Sequence, residues 1–258
     1  MRIHIEESDA RMKYLTASLL KRGYNIAAPE EIGERPCCLI VSPGMKTHML
    51  HDWMKRLPAR SILVGGQGDP ALFQAAGRLG LRYVNLSADE AFAVGNALPT
   101  AEGALMLILE HTDSTVCGMD IMILGFGRVG KAVAAALKPL GAKLHILARN
   151  PIDRAWAQGM EAHDLSHLPT QLPRCSVIIN TAPARVLGLR ELSFIEKDSL
   201  LIELASAPYG YDEELAREMG LRPVLAAALP GKVAPKTAAA IMEEAVLRAL
   251  EGEPIDRE

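Results

Sequence analysis

The stretch Ile121-Met-Ile-Leu-Gly125-Phe-Gly127-Arg128-Val129-Gly130 sets three glycines at G-x-G-x-x-G spacing, between an apolar run and an Ala-rich run ending at Leu137. After a strand and opening a helix, that spacing points to a dinucleotide. Gly125 makes the tight turn, Gly127 lets the backbone approach a pyrophosphate, and Gly130 lets the helix pack on the strand. The N–H groups at Arg128, Val129 and their neighbours then meet the phosphates at the positive end of the helix.

The next strand selects between cofactors. An NAD-preferring fold of this kind places Asp or Glu about 20 residues on, against the ribose 2′-hydroxyl. Residues 121–152 hold no acid, and His145-Ile-Leu-Ala-Arg149-Asn150 ends in a cation and an amide. Arg149 can pair with a 2′-phosphate where a carboxylate would repel it. NADP is therefore expected ahead of NAD, with Asn150 beside Arg149.

Ligands of open parallel sheets lie outside the carboxyl ends of the strands, which selects three further loops. These are Asn180-Thr181-Ala182-Pro183, Ala205-Ser206-Ala207-Pro208, and Leu229-Pro-Gly231-Lys232-Val-Ala-Pro235-Lys236-Thr237. Each joins small residues that admit a flat ring to one or two polar groups. The same residue types form ordinary turns; three such loops above one dinucleotide fold tilt the balance to function. Lys232 and Lys236 flank a helix start, where a substrate carboxylate would also gain from the dipole. His111-Thr112-Asp113 ends a helix and offers a histidine for proton transfer, although a histidine there also simply favours the dipole. His48 with His51, and His163 with His167, have helical spacing but lack a convincing third ligand, so no metal site is expected. No nucleophile elbow or Ser–His–Asp set stands out.

Elements must place these residues. Short β-branched runs alternate with amphipathic stretches, the pattern of βαβ units and a parallel sheet. Strands are expected at 2–6, 37–42, 61–64 and 82–86, with helices over 9–22 and 70–79. Ser87-Ala-Asp-Glu90 has capping-box spacing and opens a short helix; Pro99-Thr100 interrupts it, and 101–111 forms an apolar spacer helix. A second series has strands at Asp120–Leu124, Lys143–Leu147, Val177–Asn180, 199–204 and 222–226. The last helix starts at Pro235 and stops near Gly252. This predicts an α/β protein with two domains. Residues 1–98 form a smaller flavodoxin- or Rossmann-like domain and 99–117 the spacer. Residues 118–230 form a doubly wound Rossmann domain, and 231–258 a helix returning to the domain interface.

The composition excludes several classes. The chain has 258 residues, 49% hydrophobic and 23% charged, with a net charge of −3. These fractions are those of a globular protein, not a disordered or collagen-like one. The small net charge offers no footprint for nucleic acid, and 4% aromatic content offers no base-stacking platform. No apolar stretch follows a basic start, and no uninterrupted apolar run spans a bilayer. The four cysteines form no C-x-x-C pair. A cytoplasmic protein is expected.

The chain resembles the A-subunit family of dipicolinate synthase, the larger of that enzyme's two subunits in spore-forming bacteria. The resemblance rests on Asn96-Ala-Leu-Pro-Thr100-Ala-Glu102-Gly103, His111-Thr-Asp113, the glycine loop, Ala148-Arg149 and Ile179-Asn180-Thr181. It continues through Leu204-Ala205-Ser206 and Leu229-Pro-Gly231-Lys-Val-Ala-Pro235-Lys236-Thr237-Ala238. It covers roughly residues 96 to 250 and is thin before them, where the family opens with a glycine pair and this chain has Glu6-Glu7-Ser8-Asp9-Ala10-Arg11. The resemblance implies NADP-dependent oxidation of dihydrodipicolinate to dipicolinate in the mother cell. It also implies a partner, the flavoprotein-like second subunit of the synthase, and allows a homo-oligomer. The implied substrate is a planar dicarboxylate, met by Thr100, Lys232, Lys236 and Thr237. His111, Asp113 and Glu102, in that order, are the expected bases. Two alternatives remain: a hydroxyacid-type NAD(P)-dependent dehydrogenase, disfavoured because no histidine follows His167, and a non-catalytic dinucleotide-binding regulatory subunit.

Overall fold

A computed structural model describes residues 1–251; the expected stop at Gly252 lies outside them. The chain divides into two compact units, Met1–Asn96 with the described residues from Pro230 onward, and Ala97–Leu229.

The first unit holds β1 (Ile3–Ile5), β2 (Ile26–Ala27), β3 (Cys38–Ile40), β4 (Ile62–Gly65) and β5 (Arg82–Asn85) in one parallel sheet of order β2-β1-β3-β4-β5. This is one of the two common doubly wound orders, with a switch point between β1 and β3. Around it lie α1 (Ala10–Lys21), α2 (Thr47–Arg56), α3 (Pro70–Arg78) and the last helix, Pro235–Ala249. Met12, Leu15 and Leu19 sit at helical spacing on α1. They share a core with Ile3, Ile5 and Ile40 of the sheet and with Met242, Ala245 and Val246 of the last helix. Glu243 of that helix adds an ion pair to Arg22 at 2.6 Å.

The second unit holds β6 (Asp120–Leu124), β7 (Lys143–Leu147), β8 (Glu161–His163), β9 (Val177–Asn180), β10 (Leu200–Glu203) and β11 (Arg222–Leu225). All six pair in parallel, in the order β11-β10-β9-β6-β7-β8. Counted from β6, this is the 3-2-1-4-5-6 order of the Rossmann fold, whose chain reverses direction between β6 and β9. β9 and β10 are buried at every position, as strands covered on both faces must be. The predicted α/β class, with a doubly wound Rossmann-type parallel sheet and a further α/β unit, is the observed one.

One helix differs from its sequence pattern. Residues 90–111 form a single helix, α4 (Glu90–His111), that continues through Pro99. Proline inside a helix costs about 3 kcal/mol. Here apolar residues on both sides of it, Phe92, Ala97, Ala101, Ala104 and Ile108, are buried and offset that cost. The helix is capped by Asp89, whose carboxylate accepts the Phe92 N–H at 2.8 Å, and not from Ser87. Without a break, α4 is long and apolar enough to cross a membrane by length and composition.

Candidate active site

At the carboxyl end of β6 the chain turns through Gly125 and enters α5 (Arg128–Leu137). Gly125 has φ +86°, a left-handed conformation that favours glycine. A Cβ on Gly130 would stand 2.4 Å from the Gly125 carbonyl oxygen, so close packing of helix on turn requires glycine there. Gly127 differs: a Cβ built on it would meet no atom within 4 Å. Gly125 thus makes the turn, Gly130 permits the packing, and Gly127 faces open space.

Gly127 also begins α5 with no side-chain cap. The first N–H groups of a helix have no partner within it, and they carry its positive dipole end. The open space lies directly before them. It belongs to a cleft of about 520 Å³ whose walls come from three strand ends. Gly125, Phe126 and Gly127 follow β6; Ala148, Arg149 and Asn150 follow β7; Thr181, Ala182 and Pro183 follow β9. The Thr181 hydroxyl donates to the carbonyls of Leu124 at 2.9 Å and Gly125 at 3.1 Å, tying the β9 loop to the glycine turn.

The rim of the cleft carries charges of both signs, Arg149 and Arg185 beside Asp153 and Glu191. Arg149 is exposed there, and Arg185 pairs at 3.7 Å with Asp212. The Asn150 side chain accepts the Ile152 N–H at 3.0 Å, capping the helix Pro151–Trp156. The carboxylate missing from 121–152 arrives one residue later: Asp153, in the first turn of that helix, also lines the cleft. Sequence reasoning passed over Asp153 because the strand pattern had already ended.

Other expected residues fall elsewhere. Asn180 is buried and its amide is committed within the protein, donating to Glu203 at 2.7 Å and to the Ala182 carbonyl at 3.0 Å. Its oxygen accepts the Ala182 N–H at 3.3 Å. The expected cofactor contact at Asn180 therefore gives way to an internal one, because no amide hydrogen is left to meet a ligand. Ala205 and Ser206 follow β10; the Ala205 N–H donates to Glu203 at 2.9 Å, and Ser206 is exposed.

His111 and Asp113 lie at the far edge of the sheet from the glycine turn. The His111 carbonyl accepts from Arg222, the first residue of β11, at 2.9 Å. Asp113 lines a surface pocket with Asp120 and Ser176, at the amino ends of β6 and β9. Strands of five residues separate that edge from the cleft by roughly 15 Å. Glu102 and Thr100 lie two to three turns back along α4. There a Cβ on Gly103 would meet the Leu229 side chain at 2.9 Å, on the segment that leaves the carboxyl end of β11. Glu102 is exposed. None of the three expected bases is among the residues that line the cleft; Glu102 is the one whose neighbour, Gly103, packs on the segment after β11.

In the first unit, Lys232, Lys236 and Thr237 are exposed. Lys232 lies in a short helix, Leu229–Val233, where the sequence pattern indicates a loop, and Lys236 and Thr237 lie in the first turn of the last helix. Gly231 packs over Asp9 and Arg11, with a built Cβ 3.3 Å from the Arg11 guanidinium. Among the described residues no group of three His, Cys, Asp or Glu side chains forms a metal site; His163 ends β8, so its spacing to His167 is not helical.

Comparison with known proteins agrees with this geometry. Residues 100–214 match the model of the S-adenosyl-L-homocysteine hydrolase NAD binding domain. The dipicolinate synthase A-subunit of Bacillus subtilis (strain 168) is 32% identical over 201 residues, covering 77% of this chain and 68% of that protein. The crystal structure of the same subunit from Bacillus halodurans superposes with a TM-score of 0.87 at 26% identity, over 96% of this chain and 97% of that one. Its counterpart from Bacillus subtilis superposes at 0.81, also at 26% identity, over 97% and 95%. With its nicotinamide-dinucleotide domain of dehydrogenase type, the chain belongs to the A-subunit family of dipicolinate synthase.

Proposed function

We propose that this protein is the NADP-dependent catalytic subunit of a dipicolinate synthase. It oxidises dihydrodipicolinate to the aromatic dicarboxylate in the mother-cell cytoplasm, alongside a flavoprotein-like second subunit. The observation that carries the reading is the open approach at Gly127, before an uncapped helix, with Arg149 exposed on the rim. NADP, when bound, accepts the hydride that the substrate ring gives up. The α5 N–H groups and the Gly127 backbone hold the pyrophosphate. Arg149 pairs with the 2′-phosphate, and Thr181 and Ala182 shape the wall of the cleft. Aromatisation removes one hydride and one proton from the ring, so a base must take the proton. Glu102 is the residue we assign to it. Lys232, Lys236, Thr237 and Thr100 carry the charge and hydrogen-bonding groups suited to substrate carboxylates.

Purified chain, alone and with the partner subunit, is supplied with dihydrodipicolinate and NADP, and absorbance of NADPH is followed. NADPH formation supports the reading, and none in either mixture overturns it. Because Asp153 shares the rim with Arg149, cofactor choice is tested separately with Arg149→Asp. The variant weakens NADP binding far more than NAD binding; an unchanged preference removes the 2′-phosphate role.

A further inference from the structure

We propose that Glu203 is a positioning residue for the dinucleotide, a buried carboxylate that braces one wall of the cleft from behind. β10 is apolar except at its last residue, where Leu200-Leu-Ile-Glu203 ends in an acid that is only 2% exposed. An unpartnered carboxylate at such a place would be strongly destabilising. Glu203 has three donors: Oε1 accepts from Asn180 Nδ2 at 2.7 Å and from the Ala205 N–H at 2.9 Å, and Oε2 accepts the Gly210 N–H at 2.8 Å.

Those donors reach both ends of the loop 181–187. At its start, Asn180 holds Ala182 through two hydrogen bonds, one in each direction. At its end, the Gly210 carbonyl accepts the N–H groups of Val186 and Leu187, each at 2.8 Å. The two anchor points touch, since a Cβ on Gly210 would lie 2.5 Å from the Asn180 amide. Ala182 and Val186 line the dinucleotide cleft, so Glu203 sets their position without contacting a ligand. A wall misplaced by about 1 Å loses much of its complementarity.

Glu203→Gln keeps the shape but turns one acceptor into a donor facing donors. NADPH and NADH binding to the full-length chain is measured by nucleotide fluorescence, and folding by the cooperativity of thermal unfolding. We expect NADPH affinity to fall about tenfold, the effect of losing one hydrogen bond to a charged group, with the cooperative transition retained. Glu203→Asp, which keeps charge and acceptors, recovers part of the affinity. A folded Glu203→Gln protein with unaltered affinity overturns the proposal. Should that variant not fold, hydrogen exchange of the wild type decides. NADPH raises protection of the Ala205 and Gly210 amides, which face Glu203, and no change there overturns the brace. Wild-type protein that binds neither nucleotide overturns the dinucleotide site itself, and this proposal with it.

Discussion

The two units place the same element at the same topological point and use it oppositely. In each, the first strand of a doubly wound parallel sheet turns into a helix at the switch point where such folds bind ligands. In the second unit that turn is Gly125-Phe-Gly127, left open. In the first it is Glu6-Glu7-Ser8-Asp9, closed by charge. Asp9 accepts the Met12 N–H and caps α1, while its other oxygen accepts from Arg11 at 2.8 Å and from the Ser42 hydroxyl, beyond β3, at 2.6 Å. Arg11 is 3% exposed. A side-chain anion thus occupies the helix start in one unit, and the other unit leaves its helix start without a side-chain cap. Topology supplies the position, and the residues of a single turn decide whether the protein's own charge closes it or leaves it open.

The contrast breaks first at Gly130. Valine there would drive its side chain into the Gly125 carbonyl, so Gly130→Val abolishes NADPH binding and destabilises by about 3 kcal/mol, the upper range for overpacking. Titration with NADPH and urea unfolding measure both losses.

Asp9→Ala makes the opposite separation. It strands a buried guanidinium and costs about 3 kcal/mol in urea unfolding, yet leaves NADPH affinity at the wild-type value. Burial pushes the Asp9 pKa up, but hydrogen bonds from Arg11, Ser42 and the Met12 N–H, together with the Arg11 charge, outweigh it and hold the pKa below the ordinary carboxylate value. A lowered folded pKa stabilises fully above the unfolded value and fades as pH falls through the folded one. The gap between wild type and Asp9→Ala is therefore full at neutral pH and closes below about pH 3.8. A gap that widens in acid would contradict the ion pair.

Gly127→Ala is the gentlest test. Its methyl group meets no protein atom within 4 Å, so unfolding free energy moves by no more than about 0.5 kcal/mol. The same methyl enters the open approach, and NADPH affinity falls about tenfold, near 1.4 kcal/mol. Equal losses of stability and affinity would mean that the space is not kept for a ligand.

Much of the architecture was legible in the chain. Strands β6, β9 and β10 fall at the expected positions because they are largely buried and read as apolar runs. The misses have physical causes. β2 and β8 are two and three residues long, too short to show alternation. α2 carries two histidines and a run of charge, and only Leu50 and Met54 mark its inner face. Pro99 reads as a helix breaker until the burial around it is known. His111 and Asp113 looked close to the glycine loop because few residues separate them from it. Strand direction removes that closeness: whatever feeds into β6 lies at its amino end, and the cleft lies at its carboxyl end.

By itself the sequence determined the dinucleotide turn, because local spacing alone dictates a tight βα turn with an open second glycine. It also determined the parallel α/β class, through the alternation of apolar runs and amphipathic helices. Only the tertiary structure decided what surrounds that turn and its counterpart in the first unit. Asn180 and Glu203 are 23 residues apart in the chain, and Asp9 and Ser42 are 33 apart. Their roles as internal braces arise from strands brought side by side. Nothing in local spacing distinguishes a polar side chain that faces a ligand from one whose hydrogen bonds are already used inside the fold.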